Sequence, residues 1–294
     1  MSRNIDRSIE MDGRADGITG YGACQTRVSP PAPACHNHGR HAVNLILLER
    51  TELDSGDITT LRGDRARHLL NVLKVTPGQT VRVGIVDGQL GTGTVTTIAP
   101  GEVALRCAFE RETLPPPAID LLLAVPRPKV LRRLWAQLAA LGVARIIITN
   151  AARVERDYFD THVLTPECYR PLLSEGLQQA RDTRLPRVSV HRQFRKLIED
   201  DLDTLVADAL RIVAHPDADV SVPAAVSAST MARVLVAVGP EGGWNAFELS
   251  LLESRGFQRV ALGPRTLRVD TACVALLGVV SAALEQRPSL DRTG

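Results

Sequence analysis

The chain has 294 residues, 44% of them hydrophobic, and a formal net charge of +2. That length and apolar content suffice for two domains with well-buried cores, and the near-neutral balance leaves local basic patches, not overall charge, to attract any nucleic-acid partner. No apolar run reaches the roughly 18 to 20 residues of a membrane span, the nearest being 272–284, so a soluble protein is expected.

Residues 1–42 hold glycine, arginine and a Ser29-Pro30-Pro31-Ala32-Pro33 run with almost no apolar periodicity, the composition of a disordered leader. They contain no apolar h-region, which argues against a secretory signal. Cys24, Cys35, His36, His38 and His41 follow no standard zinc spacing, so no metal is expected. The other cysteines, 107, 168 and 273, show no pairing framework and suit a reducing cytosol.

From 44 to 113 the pattern shortens into strands at 45–48, 80–86, 93–98 and 103–109, with Pro77-Gly78 and Asp87-Gly88 as turn signals. One helix is predicted over 63–74, with Leu69, Leu70, Val72 and Leu73 toward a core and Arg65, Arg67 and Lys74 toward solvent. A small β-barrel with one basic helix suits RNA docking, although the same charges would serve simply to solvate a helix face.

Leu114-Pro115-Pro116-Pro117 reads as a stiff linker over 114–118. Beyond it strands (119–125, 145–149, 211–214) alternate with helices (130–141, closed by Gly142, and 167–180), which predicts a parallel sheet covered on both faces. His215-Pro216 follows the third of these strands.

The most specific signals fall in 234–284. A β-branched run, Val234 to Val238, ends at Gly239-Pro240-Glu241-Gly242-Gly243, a loop whose glycines let the backbone approach a ligand closely. Asn245 with Glu248 resembles a capping box for a helix over 246–254, with Gly256 just past its end. A second strand is predicted at 259–262, then a loop, Gly263-Pro264-Arg265-Thr266-Leu267-Arg268, and a last helix capped at Asp270 or Thr271. Neither G-x-x-x-x-G-K-[ST] nor G-x-G-x-x-G occurs, so this is not a phosphate loop. One glycine-rich loop alone is more often a turn; two of them about 25 residues apart belong to neighbouring β-α units and share one sheet edge, where α/β proteins bind ligands.

Leu235 to Gly243 followed by Leu262-Gly263-x-Arg265-x-Leu267-Arg268-x-Asp270-Thr271-Ala272 resembles the RsmE family of ribosomal RNA methyltransferases, whose pattern is GPEGG, a helix bearing a glutamate, then LGxRILRTETA. The likeness extends over 44–286 and is strongest after 234. It implies an α/β fold in which a SPOUT-type parallel sheet with a trefoil knot (119–288) follows a small PUA-like β-barrel (44–113). The implied activity is methylation of N3 of a uridine in small-subunit (16S) rRNA with S-adenosyl-L-methionine, by a cytoplasmic homodimer that pairs through its knot region, with rRNA or the ribosomal subunit as partner. Family members begin at the segment matching Asn44 to Leu48, which implies that Val43 marks an alternative start and that 1–42 is an extension.

Carried over residue by residue, the resemblance assigns cofactor contacts to His215, Pro216, Val238, Gly239, Pro240, Glu241, Gly242, Gly243, Leu262, Gly263, Arg265, Leu267 and Thr271. The segment from His68 to Lys74 and the Gln178-Gln179 to Pro186 neighbourhood match RNA-facing family motifs, which assigns Arg65, Arg67, His68, Lys74, Arg181 and Arg184 to substrate RNA. Several family charges are replaced: Lys74 stands for arginine, Gln137 and Ala140 for lysine and glutamate, a glutamine for the glutamate of the second motif, Asp270 for glutamate and Val269 for threonine. Lysine keeps the charge but loses bidentate phosphate recognition.

Methyl transfer from a sulfonium to uridine N3 needs alignment, a dry pocket and removal of the N3 proton. Arg268 is the first choice for stabilising the developing uracil anion. Glu241 and Asp270 are candidate bases or positioning groups, and each also suits a structural role, Glu241 bracing its loop and Asp270 capping the last helix. The alternatives are a non-catalytic RNA-binding protein of the same fold, which would have an altered cofactor loop, and a methyltransferase of this class with a different RNA target.

Overall fold

The computed structural model describes residues 45–287; the leader, with its cysteine and histidine cluster, lies outside them. Period-two alternation builds an N-terminal sheet from β1 (Ile46–Leu48), β2 (Ile58–Arg62), β3 (Thr80–Ile85), β4 (Gln89–Ala99) and β5 (Glu102–Thr113). Their order is β1-β3-β4-β5-β2, with β1 parallel to β3 and the other pairs antiparallel. The β3–β4 hairpin turns at Asp87-Gly88, with Asp87 in the left-handed region at φ 55. β2 has no counterpart among the predicted strands. Its Ile-Thr-Thr-Leu sequence hides the alternation because the buried positions are Thr59 and Leu61.

The single helix expected over 63–74 is instead α1 (Gly63–Arg67) followed by a π turn, His68–Val72. Leu73 N–H donates to the His68 carbonyl, five residues back, at 3.1 Å. The extra residue in that turn rotates Val72 outward to 64% exposure, so it does not join the core, while Leu69 is fully buried.

β1 serves two cores at once. Ile46 and Leu48 pack with Leu61, Val83 and Leu105 inside the N-terminal sheet, whereas Leu45 and Leu47 join the larger cluster of the C-terminal part. Residues 114–118 carry no regular structure. Arg184 anchors their start, donating through Nε to the Leu114 carbonyl at 2.8 Å.

The C-terminal sheet comprises β6 (Ile119–Ala124), β7 (Val143–Thr149), β8 (Arg187–His191), β9 (Ala209–Ala214), β10 (Arg233–Val238) and β11 (Gln258–Val260). All pairings are parallel, in the order β11-β9-β10-β6-β7-β8. Every residue of β6 is buried, as expected for a central strand covered on both faces. Val234, Val236 and Val238 of β10 face a core shared with α2 (Pro128–Ala140), α3 (Pro166–Ala180), α6 (Val222–Ala228) and α8 (Val269–Glu285). Leu235 and Ala237 face the other layer, made by α4 (Phe194–Lys196), a π turn, α5 (Leu202–Leu205) and α7 (Ala246–Ser254). β8 and the α4–α5 segment were not among the predicted elements. β8 is an edge strand with an exposed, mixed sequence, so it lacks the apolar run that marks a buried strand.

α8 starts earlier than predicted, with Arg268 rather than Asp270 or Thr271 at the N-cap position. Asp270 lies in the first turn, where its carboxylate accepts the Thr271 N–H at 3.0 Å and favours the helix dipole. β11 ends at Val260, shorter than the strand predicted over 259–262. Among the described residues no helix is long and apolar enough to cross a membrane.

Candidate active site

The carboxyl ends of β9 and β10 open onto a cleft of about 360 Å³, within the size range of small-molecule sites. His215 and Pro216 follow β9, Val238 ends β10 and Gly239 to Gly243 follow it, and Leu262, Gly263, Arg265 and Leu267 close the far wall. The two glycine-bearing loops thus meet across one cavity at the strand-end edge where α/β sheets take ligands. Ala272 and Leu276 of α8 also line it.

Each wall is held by backbone-directed bonds. Gly243, at φ 72, donates to the Pro240 carbonyl at 2.8 Å, closing a tight turn that a β-carbon would strain. A Cβ on Gly239 would lie 3.1 Å from the Trp244 ring, so the loop sits flat on the buried indole. Glu241 accepts the Arg127 N–H at 3.2 Å, tying the loop after β10 to the loop after β6. His215 Nδ1 accepts the Asp217 N–H at 3.2 Å, which leaves the neutral imidazole with its proton on Nε2.

Glu248 is the keystone beneath the cleft. Only 3% exposed, its carboxylate accepts the Asn245 N–H at 2.8 Å and the Ala152 N–H at 2.6 Å. The first bond completes the capping box of α7; the second joins that helix to the loop after β7, which carries Arg153. Glu248→Ala leaves two backbone donors without partners and is expected to cost about 1–3 kcal/mol. Urea unfolding checks this, and an unchanged midpoint would contradict the role.

Arg153 was not singled out from the sequence, yet its guanidinium donates to the Gly242 carbonyl and lines the cleft. It follows a strand whose carboxyl end lies on the same edge, which is the one signal that pointed to it. Trp244, also unforeseen, lines the cleft with an indole N–H that is buried and has no partner among the described residues. An orphaned donor beside a glycine cradle suits a ligand rich in acceptors.

Three residues assigned to the site stand outside the cleft lining. Thr271 is exposed on α8. Asp270 is bonded to Arg133 of α2 at 3.1 Å, which ties the start of α8 to α2. Arg268 stands between the lining residues Leu267 and Val269 with a side chain 76% exposed. Its nearest carboxylate is Asp270, at 4.0 Å.

The basic residues assigned to RNA divide by partner. Arg65 donates to Glu52 and to the Leu47 carbonyl; this hydrogen bond holds the Glu52 carboxyl below its ordinary range and raises the Arg65 guanidinium. Arg65 and Arg184, the latter on the Leu114 carbonyl, are thus both held by partners on the protein. Arg67 pairs with Asp64 on the surface. His68 Nε2 is buried without a partner among the described residues. Lys74, at φ 49, and Arg181, at φ 59 on the end of α3, are exposed. Among the described residues no cluster of histidine, cysteine, aspartate or glutamate has the makings of a metal site.

A parallel α/β sheet with glycine loops at its carboxyl edge, preceded by a small mixed sheet, defines a two-part RNA methyltransferase: residues 113–281 match the family described as RNA methyltransferase domain, and 61–106 the RNA methyltransferase PUA domain. The chain is 30% identical over 245 residues to ribosomal RNA small subunit methyltransferase E of Treponema pallidum (strain Nichols), an alignment covering 82% of this chain and 91% of that one. The protein of the same name from Mycobacterium bovis is 26% identical over 230 residues, covering 77% and 87%. A crystal structure of ribosomal RNA small subunit methyltransferase E from Neisseria gonorrhoeae, bound to S-adenosyl methionine, shares the fold with a TM-score of 0.67 at 21% identity, covering 82% and 97%. The chain belongs to the ribosomal RNA small subunit methyltransferase E family.

Proposed function

We propose that this protein transfers a methyl group from S-adenosyl-L-methionine to N3 of a uridine in small-subunit ribosomal RNA. The observation that carries the reading is the meeting of the Gly239–Gly243 and Leu262–Leu267 loops around one cleft. Gly239, Gly242, Gly243, Leu262 and Gly263 would hold the adenosine through backbone atoms, and the unpartnered Trp244 N–H beneath them fits the same group. When bound, the cofactor would supply an electrophilic methyl, taken in line by the acceptor nitrogen as the neutral thioether S-adenosylhomocysteine leaves, a displacement that needs no metal.

The chain's own residues then position the acceptor and handle its charge. Arg153 and Arg265 line the cleft, and Arg268 stands at its rim with its side chain exposed. Cations so placed hold a uracil oxygen and stabilise the anion left when N3 loses its proton to water at the cleft mouth. Glu241, held by Arg127 N–H, orients the loop rather than roaming as a base. Lys74, Arg67 and Arg181 supply exposed charge toward the RNA.

The fuller architecture belongs to the same proposal: the N-terminal sheet acts as a PUA-like barrel, and the chain from β10 through α8 forms the trefoil knot. α8 packs on α6, α2 and β10 with one side, while Val274, 37% exposed, stands with Gly278 and Ala282 on the other. That apolar outward face suits pairing with a second copy in a cytoplasmic homodimer.

Incubation with methyl-labelled S-adenosyl-L-methionine and unmodified small-subunit rRNA or subunits, followed by nucleoside analysis, tests the reading. The expected product is 3-methyluridine. Label in another nucleoside would redirect the specificity, and no incorporation with bound cofactor would favour a non-catalytic RNA-binding protein.

A further inference from the structure

The sheet edge opposite the cleft gathers charge in an unusual way. Asp120, Arg145 and Arg187 are in register across β6, β7 and β8, so their side chains leave the same face side by side. Asp120 is fully buried and committed, with each carboxylate oxygen 2.8 Å from Arg233 Nη2. Beyond the ladder bonds of their backbones, Arg145 and Arg187 make no side-chain hydrogen bond or ion pair with any described residue. Like charges on directly opposed strand positions repel, and among the described residues no carboxylate is bonded to either guanidinium, Asp120 being taken by Arg233.

The same side chains line a recess of about 240 Å³, together with Pro116 and Pro117 of the linker and Asp87 of the β3–β4 turn. Arg184 also reaches it, its guanidinium held by backbone carbonyls, which orient the charge without neutralising it. Four arginines face two aspartates there, leaving two positive charges over. The volume falls below the roughly 300 Å³ at which whole small molecules are enclosed, so the recess admits one group of a larger ligand.

We propose that this recess binds a phosphate of the substrate RNA backbone, with Arg145 and Arg187 as its free ligands. The proposal rests on the RNA methyltransferase reading. The strands separating recess from cleft are about 20 Å long, so an RNA engaged at both points lies along the molecule from the linker to the carboxyl edge. The linker and the Asp87 turn place the recess at the seam with the N-terminal sheet, where RNA held by that sheet would pass.

The test is titration of unmodified small-subunit rRNA transcript against the full chain, Arg187→Gln, Arg145→Gln/Arg187→Gln and, as a control for net charge, Arg195→Gln, across a range of salt. The salt slope of log affinity is expected to fall by about 1 for the double variant, which removes the one phosphate contact, and by less for the single, with the control unchanged. Affinity of the double variant near physiological salt should drop about tenfold, and calorimetric binding of S-adenosyl-L-methionine should be unaltered. If Arg145→Gln/Arg187→Gln, folded and cofactor-binding, keeps the full slope, the recess is not a phosphate site while the enzymatic reading stands. If the unaltered chain binds no RNA at all, both fall together.

Discussion

Gly176→Ala is expected to destabilise the fold by about 3 kcal/mol or more, and Gly176→Val by more still. Gly176 lies where α3 crosses α2, and a β-carbon there would stand 2.0 Å from the Ala136 carbonyl oxygen, 2.8 Å from its carbon and 3.0 Å from its Cα. All three atoms are backbone, so no side-chain rotation relieves the clash; the helices must separate. Separation would loosen Trp135, fully buried on α2, whose indole N–H donates to the Val163 carbonyl at 3.1 Å and whose ring packs 5.3 Å from Tyr169. Thermal or urea unfolding gives the answer directly, and a melting temperature within a degree of the parent would show that the crossing is not close-packed.

Arg233→Ala is expected to cost about 3–5 kcal/mol, because it strands a carboxylate with no exposure to solvent. Arg233 covers both oxygens of Asp120 and also donates to the Pro117 carbonyl at 3.1 Å, so the pair fastens the central strands to the linker. The double replacement Asp120→Leu/Arg233→Met removes the stranded charge and should recover most of the loss, since apolar groups of similar size often replace a buried ion pair without penalty. A single variant as stable as the parent, or a double variant no better than the single, would contradict the pairing energetics.

The cleft was largely legible because its chemistry is local. Gly239 to Gly243, the Asn245–Glu248 capping box and Gly263 to Leu267 are contiguous strings whose composition dictates a tight turn, a helix start and a second loop at one strand edge. What stayed hidden depends on partners far along the chain. Arg65 looked like a free surface charge because Glu52, 13 residues earlier, meets it only through the fold, and Arg184 meets Leu114 across 70 residues. Arg153 carries no motif; only the close approach of Gly242 to its stem, 3.0 Å from an added Cβ, reveals why that glycine sits opposite it. Val72 was misplaced because a π turn shifts the facing of a helix by one residue without altering the apolar pattern that suggests a regular one. Asp270 reads as base or brace from the sequence, and its bond to Arg133, 137 residues away, is visible only in the fold.

Calorimetric titration with S-adenosyl-L-methionine, run on the protein and on Gly242→Val, tests the central assignment most directly. A valine there must displace Arg153 from the cleft wall, so saturable one-site binding by the parent should weaken about tenfold or more in a variant that remains folded. A folded parent that binds no cofactor would contradict the methyltransferase assignment of the cleft.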